Sequence, residues 1–436
     1  VAEISPFRGV HYNQRLVDNL AATICPPYDI ITPQLQQELH RRSQYNFVRL
    51  EFNRELPQDT ATNNKYTRSA ATLEQWLEQG ILETDEMPAI YLHAHHFTYQ
   101  QREYIRCGIT VRVRLEEPDK MGIRPHEGTL IEPKNDRLSL LWTCQANTSP
   151  ILALFEDRKQ QISPLLAAWQ KRKPIISLSN TDGESHNVWA ITEPEVIDQI
   201  CSRFSGKPLY IADGHHRYES ALTYQREKHT YSPSVSGDEA FDFVMMTLVD
   251  FSDPGMLILP PHRLVRGLSK AIMDELMTKL KSFFDIEEWS LNTPDVWQQV
   301  DDLSNNEDES GPVIFGLDRE HLFMLKLRDF AAAGQMMPYF HCERYKRLEV
   351  SIVDHIILEE LLGLSGEQKE TNIDYSYDRL DAVHKVVDQE YQLAILVRPI
   401  KAEVIKAVAD DGDKMPKKST YFYPKLPAGL ILHRLV

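Results

Sequence analysis

The stretch Pro208-Leu-Tyr-Ile-Ala-Asp-Gly-His-His-Arg-Tyr-Glu-Ser-Ala-Leu222 forces one change of backbone on the chain. Its apolar run, Leu209 to Ala212, stops at Asp213-Gly214, and beyond it Tyr218, Ala221, Leu222 and Gln225 recur at helical spacing. The spacing predicts a buried strand, a two-residue turn and a helix. Glycine takes positive φ freely, and an aspartate can close such a turn with its own side chain. His215, His216 and Arg217 therefore fall in the first helical turn, where backbone N–H groups lack partners and the helix dipole is positive. Phosphates and carboxylates bind at such ends. With Asp213 and Gly214 forming the turn, these residues make a candidate anion site. The plainer reading is a helix start with solvated polar side chains.

A chain of 436 residues with 42% hydrophobic and 26% charged residues can build a large core and two or three domains. No apolar run approaches the ~18 residues a membrane helix needs, so no membrane partner is expected. The net charge of −16 argues against general nucleic-acid binding, which calls for an excess of Lys and Arg. Any anion site must then be local. Cys25, Cys107, Cys144, Cys201 and Cys342 form no Cys-x-x-Cys pair, a usage that fits reduced thiols and a cytoplasmic protein. No signal peptide is read at the start, which opens at Val1.

In chain order, Ile4 to Val10 reads as a strand and Cys25-Pro-Pro-Tyr-Asp-Ile30 as a rigid turn. Thr32-Pro33 opens a helix with Leu35 and Leu39 inward. Tyr45 to Phe52 reads as a strand, and Tyr66 to Gln79 as an amphipathic helix stopped by Gly80. Ile90 to Tyr99 and Ile105 to Leu115 alternate and predict an antiparallel pair. His93 and His95 share a face of the first strand. With no third ligand near them in sequence, they read as satisfied strand histidines, and no metal site is assigned.

A second polar cluster, Gly122 to Arg137, reads as a loop before the apolar run Leu138 to Trp142. It carries His126, Glu127, Lys134 and Arg137. A carboxylate among basic groups can take a proton while its neighbours hold an anion, an arrangement suited to phosphoryl transfer; the plainer reading is a surface loop with ion pairs. The third cluster is a basic loop, Asp411 to Lys425, after a strand at Leu393 to Val397 and a helix at Ala402 to Val408. It holds Lys417, Lys418, Ser419 and Thr420, and its positive charge stands out on an acidic chain. Between Ser269 and Gln335 the pattern shifts to helix, an acidic loop (Asp295, Asp301, Asp302, Glu307, Asp308, Glu309) and a strand pair. Neither Gly-x-x-x-x-Gly-Lys-[Ser/Thr] nor Gly-x-Gly-x-x-Gly occurs, so phosphate must be held by other means.

Together, Asp213-Gly-His-His-Arg217, Arg124-Pro-His-Glu127 and Met415-Pro-Lys-Lys-Ser-Thr420 resemble the fingerprints of the bacterial domain-of-unknown-function family numbered 1015. Pro26-Pro-Tyr-Asp29 and Tyr45-Asn-Phe-Val-Arg49 fit it too, and the resemblance covers nearly the whole chain. The clusters are also similar, in the same order, to those of free L-serine kinases of the ParB/sulfiredoxin-like superfamily. The resemblance implies an α+β fold: a mixed sheet with a ParB/sulfiredoxin-like phosphate loop at a strand-helix junction, plus an inserted α+β subdomain. With the pattern shift after Ser269 read as an inserted α+β subdomain over 266–365, the chain divides into a core over 1–265, that subdomain, and a C-terminal segment over 366–436 that by the resemblance completes the substrate site.

The implied activity is transfer of phosphate to the hydroxyl of free L-serine, with Mg²⁺ and with pyrophosphate or a nucleotide as donor. Carried over by position, Glu127 is the base with His126 beside it. Asp213, Gly214, His215, His216, Arg217, Lys134 and Arg137 hold the donor, and Lys417, Lys418, Ser419 and Thr420 are late-loop contacts. Lys418 stands where the kinases have a Thr, a departure from their pattern. The competing class is a nucleotide-gated, DNA-associated regulator without catalysis, which should carry a helix-turn-helix and a basic face. Sulfiredoxin-like chemistry needs a Cys where this chain has His215, which closes that route.

Overall fold

The strands Ile90–Tyr99 and Arg102–Arg114 pair antiparallel, as their alternation predicts, at the middle of a nine-stranded sheet in this computed structural model. Residues 2–117, 120–180, 183–231, 238–305 and 313–436 are described. Ile109, Val111 and Val113 enter a large core cluster, yet Arg106 on the other face is 2% exposed, so this strand is covered on both sides. The sheet is mixed. Leu209–Asp213 runs parallel to Ile123–Pro125 and antiparallel to Ile151–Phe155, which runs parallel to Phe243–Asp250. A strand with neighbours on both edges and apolar side chains on both faces is fixed in place, and that rigidity is what the following turn inherits.

The chain divides into two compact units, one of residues 1–125, 129–257 and 424–436, the other of 126–128 and 258–423. In the first, a four-stranded sheet joins Gly9–Tyr12, Leu82–Thr84, Ala146–Asn147 and Leu432–Arg434. Helix starts follow the expected chemistry. Thr32 accepts the N–H of Leu35 at 3.2 Å ahead of helix Pro33–Arg42, and Gly80 (φ +69°) follows helix Lys65–Glu78.

Two expectations are corrected. Tyr45 to Phe52 is no strand but contains the short helix Val48–Glu51: Asn46 accepts the N–H of Val48 at 3.0 Å while its amide donates to the carbonyls of Ala22 and Ile24. The loop predicted to reach Arg137 ends at Leu130, because helix Ile131–Cys144 begins there. Pro133 sits in its first turn, where a missing N–H costs nothing.

The second unit is built on an antiparallel six-stranded sheet, including Phe284–Ser290, Val313–Leu317, His321–Leu327 and Leu393–Leu396. Leu264, Val296, Val300, Leu322, Ala382, Val386 and Ala394 form its core. The strand pair expected near 313 and 322 is present. Of the acidic run, Glu307, Asp308 and Glu309 lie outside the described residues. All five cysteines are free thiols, and no helix among the described residues is long and apolar enough to cross a membrane.

Candidate functional site

Strand Leu209–Asp213 and helix His215–Tyr231 meet at Gly214, whose φ of +91° is the left-handed turn the sequence predicts. A Cβ at this position would lie 2.9 Å from Nε of Arg217, so glycine is required both by conformation and by space. Asp213 does not close the turn onto itself. Its Oδ2 accepts from Arg217 Nη2 at 2.8 Å, and its Oδ1 accepts from Lys425 Nζ. Burial alone would raise the Asp213 pKa, but the charges of Lys425 and Arg217 outweigh it and hold the carboxylate well below its usual range.

Arg217 is positioned from several sides. Nη1 donates to Ser149 Oγ at 3.0 Å and to the Pro150 carbonyl, while Nε is buried without a hydrogen-bond partner. An unpaired guanidinium N–H at the start of a helix is a donor that an anion can satisfy. His215 is buried, and the first turn closes by Tyr218 N–H to the Gly214 carbonyl at 3.0 Å. His216 has a different local partner: its Nε2 accepts the N–H of Leu130 at 3.0 Å, at the entrance to helix Ile131–Cys144.

Lys134 and Arg137 ride on that helix. Lys134 Nζ stands 4.0 Å from Glu219 Oε2, on helix His215–Tyr231. Arg137 is buried, stacked 4.0 Å from the Tyr28 ring, and donates to Asp136 Oδ2 and the Glu51 carbonyl, both at 2.9 Å. The fully buried Glu51 accepts from Thr148 at 2.6 Å and from Ser149 at 2.9 Å. Ser149 thus links Arg217 to the Glu51–Arg137 pair.

Sequence reasoning missed Ser149, Glu51 and Lys425 as members of this cluster. Lys425 had been counted as one charge of a basic loop; it also lies 4.0 Å from Asp29, the last residue of Pro26-Pro-Tyr-Asp29. That motif was the available signal.

In the second unit, His126–Gly128 lies along the late basic loop. Met415 N–H donates to the His126 carbonyl at 2.7 Å, and Glu127 and Met415 form a parallel bridge. Glu127 Oε1 accepts from Ser419 N–H at 3.2 Å and from Thr420 Oγ1 at 3.3 Å. The fully buried His126 places Nε2 3.0 Å from the same Thr420 hydroxyl and 3.9 Å from Glu127 Oε1. Among the described residues, Glu127 Oε2 takes no hydrogen bond. One oxygen is anchored by the loop, and the other is an acceptor without a hydrogen-bond partner among the described residues. Ser419 and Thr420 are therefore brought to Glu127 and His126, whereas Lys417 and Lys418 are exposed. Lys418 has φ +57°, the turn that aims the Ser419 N–H back at the carboxylate.

Three solved structures are loosely similar. A conserved hypothetical protein from Pyrococcus furiosus is 12% identical, with a TM-score of 0.36 over 75% of this chain and 95% of its own. A free serine kinase in complex with AMP is 12% identical, with a TM-score of 0.36 over 74% of this chain and 92% of its own. SbnI with a C-terminal truncation from Staphylococcus aureus is 10% identical, with a TM-score of 0.34 over 72% and 85%. No curated protein matches the sequence. A family model described as "Protein of unknown function (DUF1015)" matches residues 4–351, and the chain belongs to that family.

Proposed function

We propose that the protein is a small-molecule phosphotransferase that phosphorylates the hydroxyl of free L-serine. The observation that carries this reading is the Glu127 carboxylate, with Oε1 fixed by two donors of one loop and Oε2 left without a partner among the described residues. A carboxylate so oriented is suited to take the proton of an attacking alcohol, a contribution of roughly 10²–10⁴ in rate. The partly buried Thr420–His126 contact holds the loop against it.

The phosphate donor, pyrophosphate or a nucleotide, is assigned to the turn at Asp213–Arg217. The helix start and the unpaired Nε of Arg217 support that assignment. Lys134 adds positive charge on the neighbouring helix, and Lys417 and Lys418 are assigned to the acceptor side with Ser419 and Thr420. Serine as acceptor rests on the resemblance of the three motifs to the free-serine kinases.

The turn does not make a protein cage for Mg²⁺, since both oxygens of Asp213 already face cations and Glu219 Oε2 accepts from Thr129 at 2.5 Å. Mg²⁺ enters the proposal as the companion of the donor's own phosphate oxygens, and no step is routed through it. The test is purified protein with L-serine, Mg²⁺ and pyrophosphate, ATP or ADP in turn, scored for O-phosphoserine. Formation with one donor is expected; none with any of the three overturns the reading.

A further inference from the structure

Strand Ser185–Ile191 pairs antiparallel with Ile90–Tyr99 in a register that sets His186 opposite His95. The pairing supplies what the sequence lacked around His93 and His95, a further imidazole and a carboxylate from a distant segment. Nε2 of His95 lies 3.5 Å from Oε2 of Glu184, and His95, Glu184 and His186 each bring one ligand-type atom within 4.8 Å of the others. Two donors bound at ~2.1 Å to a tetrahedral ion stand about 3.4 Å apart, so the His95–Glu184 spacing already matches, and His186 needs a small closing movement.

His95 is 1% exposed and its Nε2 has no hydrogen-bond partner, a rare condition for a buried ring nitrogen. His93 Nε2 lies 3.0 Å from His186 Nδ1. With Nδ1–H of His186 donating to His93, Nε2 of His186 keeps its lone pair, the way outer partners orient metal-ligating imidazoles. Arg106 Nη2 donates to Nδ1 of His95 at 3.2 Å, which places the ring proton of the free side chain on Nε2, facing Glu184. A bound cation takes the place of that proton.

We propose that His95, Glu184 and His186 bind one divalent transition-metal ion of the zinc class. Two imidazoles and one carboxylate suit Zn²⁺, Co²⁺ or Ni²⁺ better than Mg²⁺ or Ca²⁺, and leave a fourth position for water. Access is from the side of Glu184, whose side chain is 27% exposed; the other two ligands are buried. The ion ties neighbouring strands together, and none of its three ligands is among the residues assigned to the phosphate donor.

The test uses the full chain without a polyhistidine tag, stripped by chelator and titrated with Co²⁺. One equivalent is expected to give the visible absorption of four-coordinate Co²⁺, displaced by Zn²⁺, with a rise in Tm. Glu184→Gln should weaken binding at least 10-fold, while the exposed His384→Ala should leave it unchanged. His186→Asn should abolish the band; if that buried variant fails to fold, the half-exposed Glu184→Gln still decides. Absence of the band, or equal binding by Glu184→Gln and wild type, overturns the proposal and leaves a neutral buried histidine network.

Discussion

Nη2 of Arg217 donates to Oδ2 of Asp213 at 2.8 Å, bridging one helical turn across Gly214. The arginine assigned to the phosphate donor is thus already held by a carboxylate, a hydroxyl and a carbonyl before any ligand arrives. Little side-chain entropy remains to be lost on binding, which favours affinity. Arg217→Ala should weaken pyrophosphate binding roughly 10- to 100-fold, the worth of one or two charge-assisted hydrogen bonds. Calorimetric titration checks it; unchanged affinity would remove Arg217 from the donor site.

Asp213 is held ionised against its burial by Lys425 and Arg217, so its folded pKa is depressed. A depressed carboxylate pKa stabilises the fold above its unfolded value near 4, and that stability is lost as pH falls through the folded pKa. Asp136 behaves alike: burial would raise it, but Arg137 and Lys65 bring it to about 2. Stability should therefore fall between about pH 5 and pH 2. Asp213→Asn should lower Tm at pH 7 and flatten the acid end of the Tm profile, measurable by calorimetry.

Replacing Glu127 with Gln keeps the shape and the acceptor for Ser419 and Thr420 but loses the base. Turnover should drop about 10²-fold or more, with donor affinity within a few fold of wild type. Turnover close to that of wild type would take Glu127 out of the mechanism.

Thr420 donates to Glu127 and contacts His126, so Thr420→Val should loosen the late loop. Faster tryptic cleavage after Lys417 or Lys418 is expected, together with more donor hydrolysis relative to phosphoserine formation, because water then competes as acceptor. In wild type, donor and serine together should slow that cleavage. Equal rates in the free and loaded protein would count against any closing role.

Gly214→Ala should destabilise the chain by about 1–2 kcal/mol from the left-handed backbone alone, and more from the contact with Arg217. Urea unfolding measures it. A change below about 0.5 kcal/mol would mean that the turn relaxes freely.

What was legible followed from local chemistry. Leu209–Asp213, Gly214 and the helix beginning at His215 came from an apolar run, a residue that takes positive φ and helical spacing, each of which acts within a few residues. The stretch around helix Val48–Glu51 carries the β-branched and aromatic residues of a strand; what turns it is Asn46, whose bond to the Val48 N–H depends on its anchoring to Ala22 and Ile24 far back in the chain. Lys134 and Arg137 ride on a helix whose start is disguised in the sequence by Pro133, a residue a helix accepts only in its first turn. Ser149, Glu51 and Lys425 had no local signature; strand pairing and chain return bring them to the turn. The same holds for His186, invisible beside His95 until the register is known.

Lys418, at φ +57°, sits where a glycine or asparagine would rest at lower energy, by about 1 kcal/mol for the backbone. Exchange to Gly would relieve that tension and erase a positive charge in one step. A chain drifting toward greater thermal robustness alone would shed this lysine early. On the proposed assignment of Lys418 to the acceptor side, backbone stability and cationic character pull in opposite directions here, and a more heat-resistant variant should be screened for lost turnover before it is kept.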